Sequence, residues 1–193
     1  MPVLGGPDGI LETHLRVNTL GAAYTVRAAD PYLTRPGGYV LLVSSLGAAI
    51  HLPLMAAYSA SKAGVEAIGN SLRQELRPDG VGVGVAYFAE LDTDMTSRGF
   101  GTEAGHLLTE GRHPTGVAPL QKGVDAVIRG IARRSRTVTA PGWVGPLVPL
   151  RALAQRVVEL KRFPALPEAL ARAREEAVDY TTPQPTHRPG DPS

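Results

Sequence analysis

Three residues of types that can do acid–base chemistry lie close together in the chain: Ser45, Tyr58 and Lys62. Tyr58 and Lys62 are four positions apart, so on a helix they occupy one face. A free phenol has a pKa of about 10, which is too high for a base near neutral pH. An ammonium group about 4–6 Å away stabilises the phenolate and lowers that pKa. The pair therefore predicts a tyrosine that gives or takes a proton at a carbonyl or alcohol oxygen.

Ser45 follows a continuous apolar run, Tyr39–Val43, that is bounded by a Gly-Gly turn and by Ser44. Such a run is typical of a strand buried between two layers, and hence of a parallel sheet. In open α/β sheets, ligands bind beyond the carboxyl ends of the strands. We therefore expect the Ser45 hydroxyl to hydrogen-bond the same substrate oxygen as Tyr58.

The elements around these residues alternate between helix and strand. This order predicts an α/β fold with a parallel sheet, helices on both faces and right-handed crossovers. The predicted strands cover 39–43, 81–88 and 137–140, and the predicted helices cover 11–30 (closed by Pro31), 57–77, 119–134, 147–162 and 167–178. A long irregular segment, 89–118, is expected to be a lid, a binding loop or disordered.

Composition narrows the classes of protein that the chain can belong to. It has 193 residues with a formal net charge of +2, and it contains no cysteine. Disulfides and thiolate metal sites are therefore excluded, and we expect no metal site and no nucleic-acid partner. No apolar run approaches the roughly 18 residues of a membrane span. With no secretory signal at the N-terminus, we expect a cytoplasmic protein.

Beyond Ser45, Tyr58 and Lys62, two further segments carry a family pattern. One is Val17-Asn18-Thr19-Leu20-Gly21, and the other is Phe88–Met95, which follows the second predicted strand. Together these motifs resemble the short-chain dehydrogenase/reductase family, from about residue 11 to 95 and more weakly to about 142. The resemblance implies a Rossmann-like fold in which hydride passes between NAD or NADP and a carbonyl or alcohol substrate.

The family's functional residues carry over one by one. The resemblance implies that Tyr58 is the general acid/base and that Lys62 tunes it while binding the nicotinamide ribose. Ser45 would position the substrate oxygen, and Asn18 would hold a water that links Lys62 to solvent. The cofactor contacts would also include Leu91, through its backbone, and Thr93.

The chain departs from the family in its cofactor-binding half. It lacks the family's Thr-Gly-x-x-x-Gly-x-Gly loop, and Phe88-Ala89 stands where the family has Pro-Gly. We therefore expect a Rossmann-like sheet truncated on its N-terminal side, with impaired binding of NAD(P). The expected organisation is a loop over 1–10, a partial Rossmann-like catalytic region over 11–142, a helical segment over 143–180 and a disordered tail over 181–193.

Other interpretations remain open at this point. The resemblance also implies a homo-oligomer formed through helices 11–30 and 57–77. Alternatively, a reductase-like fragment without turnover would act as an association module that binds another reductase chain. Ser59-Ala60-Ser61-Lys62 matches the Ser-x-x-Lys motif of serine β-lactamases, although their partner motifs do not occur. Residues 143–163 could form a helix on a membrane surface, but more often such a stretch covers a core or a pocket.

Overall fold

The computed structural model of the chain describes residues 2–5, 8–35, 37–93, 96, 102–110, 113 and 115–176. The predicted disordered tail, 181–193, lies outside the described residues. Within the described ranges, no helix is both long and apolar enough to cross a membrane. The same residues contain no group of three or more His, Asp or Glu side chains that could hold a metal ion.

The first helix is longer and less regular than the sequence predicts. It consists of α1 (Ile10–His14), a π-helical turn (Leu15–Leu20) and α2 (Gly21–Leu33). The prediction that Pro31 closes this helix is wrong, because the last turn continues to Leu33. Leu33 packs against the buried cluster of Val26 and Leu42. This packing stabilises the last turn, although Pro31 has no backbone N–H to donate a helical hydrogen bond.

Three parallel strands form the sheet, in the order β1 (Tyr39–Val43), β2 (Gly82–Phe88) and β3 (Thr137–Ala140). The register places Leu42 opposite Val85 and Ala86 opposite Val138. Because side chains alternate along a strand, Leu42 and Val85 point to one face of the sheet, and Ala86 and Val138 point to the other.

A helix covers each face of this sheet. On the Val85 face lies α3 (Ala56–Glu75), whose Gly69 lets it approach the sheet so closely that a Cβ there would meet Val85 Cγ2 at 2.5 Å. On the Ala86 face lies α5 (Leu120–Ala132), whose Ala126 packs against Ala86 and Val138. The prediction of a parallel sheet with helices on both faces is confirmed.

The two crossovers have opposite hands. Both β1–α3–β2 and β2–α5–β3 step in the same direction across the sheet, yet their helices lie on opposite faces. Only one of them can be right-handed, so the prediction of right-handed crossovers fails for the other. The physical reason is that the Val85 face next to β3 is already occupied by the buried side chains of Val144 and Val148.

The segment after β2 is not wholly irregular. It contains α4 (Glu103–Thr109), and an isolated parallel bridge between Leu91 and Ala118 closes its base. Three short helices follow the sheet: α6 (Val144–Leu147), α7 (Arg151–Leu160) and α8 (Leu166–Glu175). The single helix predicted over 147–162 is thus α7 preceded by a separate short turn, because two prolines interrupt this region.

Candidate active site

Ser45 lies just beyond the carboxyl end of β1. Its backbone is extended, and its hydroxyl caps a short 3₁₀ turn (Leu46–Ala48) by accepting the amide of Gly47 at 3.1 Å. The same hydroxyl lies 3.4 Å from the carbonyl of Phe88, at the end of the neighbouring strand. Ser45 is buried, so these contacts hold its hydroxyl in one place.

Tyr58 lies in the first turn of α3, beside Ser45. The Ser45 hydroxyl is close enough to the Tyr58 phenol to lower the pKa of that phenol. The ring is enclosed by His14, which meets it edge-on with 6.4 Å between ring centroids, and by Gly47. A Cβ on Gly47 would lie 3.1 Å from Tyr58 Cε1, so the absence of a side chain at position 47 makes room for the ring.

Lys62 lies one turn further along α3. Its Nζ donates to the carbonyl of Val43 at 3.2 Å and lies 6.0 Å from the centroid of the Tyr58 ring. The backbone carbonyl of Lys62 accepts the Ser44 hydroxyl at 2.8 Å, which ties α3 to the end of β1. Burial lowers the pKa of the Lys62 ammonium.

The pKa of Tyr58 departs from the expectation based on sequence. Burial raises it above its ordinary value of 10, and the hydrogen bond from Ser45 offsets only part of that rise. The expected lowering by Lys62 does not contribute to this shift, because the ammonium group is directed at the Val43 carbonyl. The Tyr58 phenol therefore holds its proton more tightly than a free phenol does.

Asn18 is not brought to the cavity that Ser45, Tyr58 and Lys62 line. It lies in the π-helical turn, and its Nδ2 donates to the Ser61 hydroxyl at 2.9 Å. Ser61 in turn donates to the backbone carbonyl of Tyr58 at 2.7 Å. Asn18 therefore contacts α3 on the side away from the cavity and is linked to Tyr58 through Ser61.

Leu91 and Thr93 line the same cavity as Ser45, Tyr58 and Lys62. The bridge to Ala118 uses the carbonyl of Glu90 and the amide of Asp92, so the N–H and the carbonyl of Leu91 itself take no part in this pairing. Thr93 Oγ1 lies 3.3 Å from Thr96 Oγ1. Five of the six predicted site residues thus line one wall or another of a single cavity.

This cavity has a volume of about 730 Å³ and is bounded mainly by apolar side chains, including Leu46, Ile50 and Val127. The exposed side chain of Ile128 also contributes to its wall. Its size and apolar walls are typical of a site for a small organic molecule.

Sequence reasoning missed three residues around this cavity. Glu90 lines it and lies 2.8 Å from His113 Nδ1; burial raises the pKa of Glu90, and His113 opposes that rise. Gly47 and His14 both pack against Tyr58. The signal for Glu90 was a charged residue directly after a buried strand, whereas His14 and Gly47 carried none.

The two serines of the Ser59-Ala60-Ser61-Lys62 motif are both buried, and neither lines the cavity. The Ser59 hydroxyl has no hydrogen-bond partner among the described residues. A serine nucleophile must reach its substrate and be hydrogen-bonded to its base. This geometry contradicts the β-lactamase-like interpretation.

The fold and the cavity together define a class: a Rossmann-like domain with a hydroxyl, a phenol and an amine at the carboxyl ends of its strands. The family model described as short chain dehydrogenase matches residues 7–104. The chain belongs to the short-chain dehydrogenase/reductase family.

Several curated relatives are plant proteins named as dehydrogenases. The chain is 28% identical over 151 residues to 11-beta-hydroxysteroid dehydrogenase 1A of Arabidopsis thaliana, and the aligned region covers 75% of this chain and 43% of the relative. It is 31% identical over 147 residues to 11-beta-hydroxysteroid dehydrogenase B of Arachis hypogaea, and this aligned region covers 75% of this chain and 41% of the relative. The chain therefore spans about two fifths of the length of these relatives.

Solved structures show the same fold. A short-chain dehydrogenase from Burkholderia cenocepacia J2315 in complex with NADP aligns with a TM-score of 0.67 and 26% identity, over 82% of this chain and 64% of that one. A short-chain dehydrogenase from Sphingobium yanoikuyae in complex with NADPH aligns with a TM-score of 0.53 and 25% identity, over 75% of this chain and 54% of that one.

Proposed function

We propose that this chain carries the catalytic half of an NAD(P)-dependent oxidoreductase that interconverts a carbonyl and an alcohol. The observation that carries the proposal is that Ser45, Tyr58 and Lys62 line one apolar cavity at the carboxyl ends of the strands. A buried phenol whose pKa is raised is suited to protonate a substrate oxygen, since the neutral form is its stable form.

Each residue has a distinct task in this proposal. Tyr58 donates its proton to the carbonyl oxygen during reduction and recovers it during oxidation. Ser45 holds that oxygen next to the phenol through its own hydroxyl. Lys62 lies close enough to stabilise the phenolate that forms when the proton has left. Asn18, through Ser61, keeps the turn of α3 that bears Tyr58 in place.

NAD(P), when bound, supplies or accepts the hydride that this chemistry requires. The nicotinamide end of such a cofactor fits the cavity, where Tyr58, Lys62, Leu91 and Thr93 would hold it. The pyrophosphate end does not fit these 193 residues, because they contain no glycine-rich loop that opens a helix. We therefore propose that turnover needs a pyrophosphate-binding segment outside this sequence.

Exposed apolar side chains support the proposal that a further segment is needed. Val43, at the end of β1, is 48% exposed, and Ile128 of α5 is 59% exposed, although both line the cavity. Among the described strands, β1 is also an edge strand with one unpaired side. A further segment beside β1 would cover these groups and complete the cavity wall.

A chimera tests the proposal. The residues of the Burkholderia cenocepacia dehydrogenase that precede its alignment with this chain are fused in front of residue 8, and NADPH oxidation is followed with a panel of ketones. We expect turnover by the chimera, and no saturable NADPH binding below roughly millimolar concentration by the 193-residue chain alone. Tight NADPH binding by the chain alone would disprove the need for another segment.

Two variants of the chimera test whether Tyr58 is the acid/base. Tyr58→Phe is expected to lose turnover, whereas Ser59→Ala, which removes a neighbouring buried hydroxyl without a partner, is expected to keep it. A folded chimera that binds NADPH and turns over equally well with Phe at position 58 would disprove the acid/base assignment. Circular dichroism of each variant establishes that it is folded.

A second candidate function is an association module, with a second copy of this chain as the partner. Several apolar side chains of the first helix are exposed, among them Val17, Leu20 and Tyr24. Tyr24→Asp should shift the mass measured by light scattering from oligomer to monomer. A wild-type chain that is monomeric at all concentrations excludes this candidate.

The cytoplasmic location stays a prediction.

A further inference from the structure

A second cavity, of about 540 Å³, lies at the amino-terminal ends of the strands, opposite the catalytic cavity. Its wall includes the first residues of β2 and four arginine side chains, which we call the arginine pocket: Arg73, Arg77, Arg134 and Arg136. Arg73 lies in the last turn of α3 and Arg77 follows that helix, while Arg134 and Arg136 lie between α5 and β3. The end of α3 with its connection to β2, and the connection between α5 and β3, therefore bring four cations to one place.

Two of these guanidinium groups are fixed by the backbone around them. Arg73 Nε donates to the Val83 carbonyl at 3.0 Å, and its Nη1 donates to Asn70 Oδ1 at 2.7 Å. Arg134 Nη2 donates to the carbonyls of Gly38 and Gly80 at 2.6 and 2.8 Å. A guanidinium group has five N–H donors, so about three remain on each of these arginines for a ligand.

The other two, Arg77 and Arg136, are exposed, and their side chains make no hydrogen bond to any described residue. Within the described ranges, none of the four arginines is paired with a carboxylate. The positive charges therefore repel one another. Burial lowers the pKa of Arg73, and the nearby charge of Arg136 lowers it further.

We propose that the arginine pocket binds a small molecule that carries two or more phosphate groups. The planar fork of arginine matches two phosphate oxygens at once, and fixed donors lose little conformational entropy when a ligand arrives. Four unneutralised cations around a cavity larger than a single phosphate favour a ligand with several negative charges. Because the pocket lies at the opposite end of the strands from Tyr58, binding there is separate from the proposed hydride chemistry.

Isothermal titration of the 193-residue chain with inorganic pyrophosphate at constant ionic strength tests the proposal. We expect saturable binding that weakens about tenfold in Arg77→Ala and about tenfold in Arg136→Ala, as the loss of one charge-assisted contact implies. Both side chains are exposed and make no contact that the fold needs, so both variants should melt like the wild type. Arg27→Ala removes an exposed arginine of α2 outside the pocket and should bind pyrophosphate unchanged.

Three results would overturn the proposal. One is no saturable binding of pyrophosphate by the folded chain. Another is an equal loss of affinity in Arg27→Ala and in Arg77→Ala, which would show that net charge alone attracts the anion. The third is preferential binding of a single-stranded oligonucleotide that pyrophosphate does not displace, because the pocket would then be part of a nucleic-acid surface. Weaker binding of sulfate than of pyrophosphate at the same ionic strength would support the requirement for several phosphate groups.

Discussion

Each end of the same three-stranded sheet holds a tyrosine next to a cation. At the carboxyl end, Tyr58 lies beside Lys62, and at the amino end Tyr39 lies close enough to Arg73 for that charge to affect its pKa. Burial raises the pKa of both phenols. The neighbours differ: the side-chain hydroxyl of Ser45 lowers the pKa of Tyr58, whereas Tyr39 donates its hydroxyl to the backbone carbonyl of Ser135 at 2.8 Å.

The partner determines what each tyrosine can do. A carbonyl oxygen only accepts hydrogen bonds, so it holds the Tyr39 proton in place and makes that residue a structural tie between β1 and the connection that leads into β3. A hydroxyl both donates and accepts, so Ser45 can interact with Tyr58 before and after the proton has left. A tyrosine near a cation is therefore no sufficient sign of catalysis; the nature of its hydrogen-bond partner and its access to a cavity separate the two cases.

Replacing each tyrosine by phenylalanine is the strongest test of whether the two residues have different roles. In the chimera, Tyr58→Phe should lower turnover by about 10²–10⁴-fold, the usual contribution of a general acid. Tyr39→Phe should leave turnover within about twofold but lower the free energy of unfolding by about 1 kcal/mol, because the Ser135 carbonyl loses its donor. Initial rates and urea denaturation measure the two effects. Similar losses of turnover in both variants would contradict the distinction.

A methyl group next to Tyr39 should act on stability alone. The Cβ of Gly84→Ala would collide with the Tyr39 hydroxyl and with the Ser135 carbonyl. The second of these atoms belongs to the backbone and cannot easily move away. We expect a loss of about 1–3 kcal/mol in the free energy of unfolding. Gly142→Ala is the matched control, since a Cβ there has no atom within 4 Å and should be nearly neutral. Equal stability of the two variants would refute the close packing around Tyr39.

Titration distinguishes the two phenols by the groups that lower their pKa. Ser45→Ala should raise the pKa of Tyr58, because it removes the hydrogen bond that offsets burial, and Arg73→Met should likewise raise that of Tyr39. Tyrosinate absorbance, compared with that of the corresponding Phe variants, measures both shifts. A pKa of Tyr58 that falls in Ser45→Ala would show that this hydrogen bond favours the neutral phenol.

The same shifts determine how stability depends on pH. A folded-state pKa above the unfolded value of about 10 means that folding favours the neutral phenol. This contribution is fully present below pH 10 and is lost as the pH rises through the folded-state pKa. Alkaline unfolding should therefore be less steep in Tyr58→Phe and in Tyr39→Phe than in the wild type. An unchanged pH dependence in both would mean that neither phenol is destabilised as an anion.

The smallest expected effect concerns the position of the Tyr58 ring. In Gly47→Ala the new Cβ would lie 3.1 Å from Tyr58 Cε1, so the ring must shift by a few tenths of an ångström. Turnover of the chimera should fall about three- to tenfold, because proton transfer depends on alignment. The melting temperature should change little, since the obstacle is one side chain. Unchanged turnover would show that the ring position is not critical.

Elements with a strong local signal were predictable. The bounds predicted for β1 and β3 agree with the structure, and those of α3 differ by one residue at its start and two at its end. Buried apolar runs and small-residue helices leave a clear mark because local spacing decides which side chains are buried. The π-helical turn around Asn18 left no such mark, since its extra residue is accommodated by contacts with Ser61, 43 positions away.

The residue types and the spacing of Tyr58 and Lys62, and the placement of Ser45 after a buried strand, follow from sequence by itself, because helical and strand periodicities are local. Their catalytic roles stay predictions. Only the tertiary structure decided that burial raises the pKa of the Tyr58 phenol, that Glu90 and His113 meet beside the cavity, and that four arginines from two connections converge at the opposite end. These depend on distances between segments far apart in the chain, which no local pattern encodes.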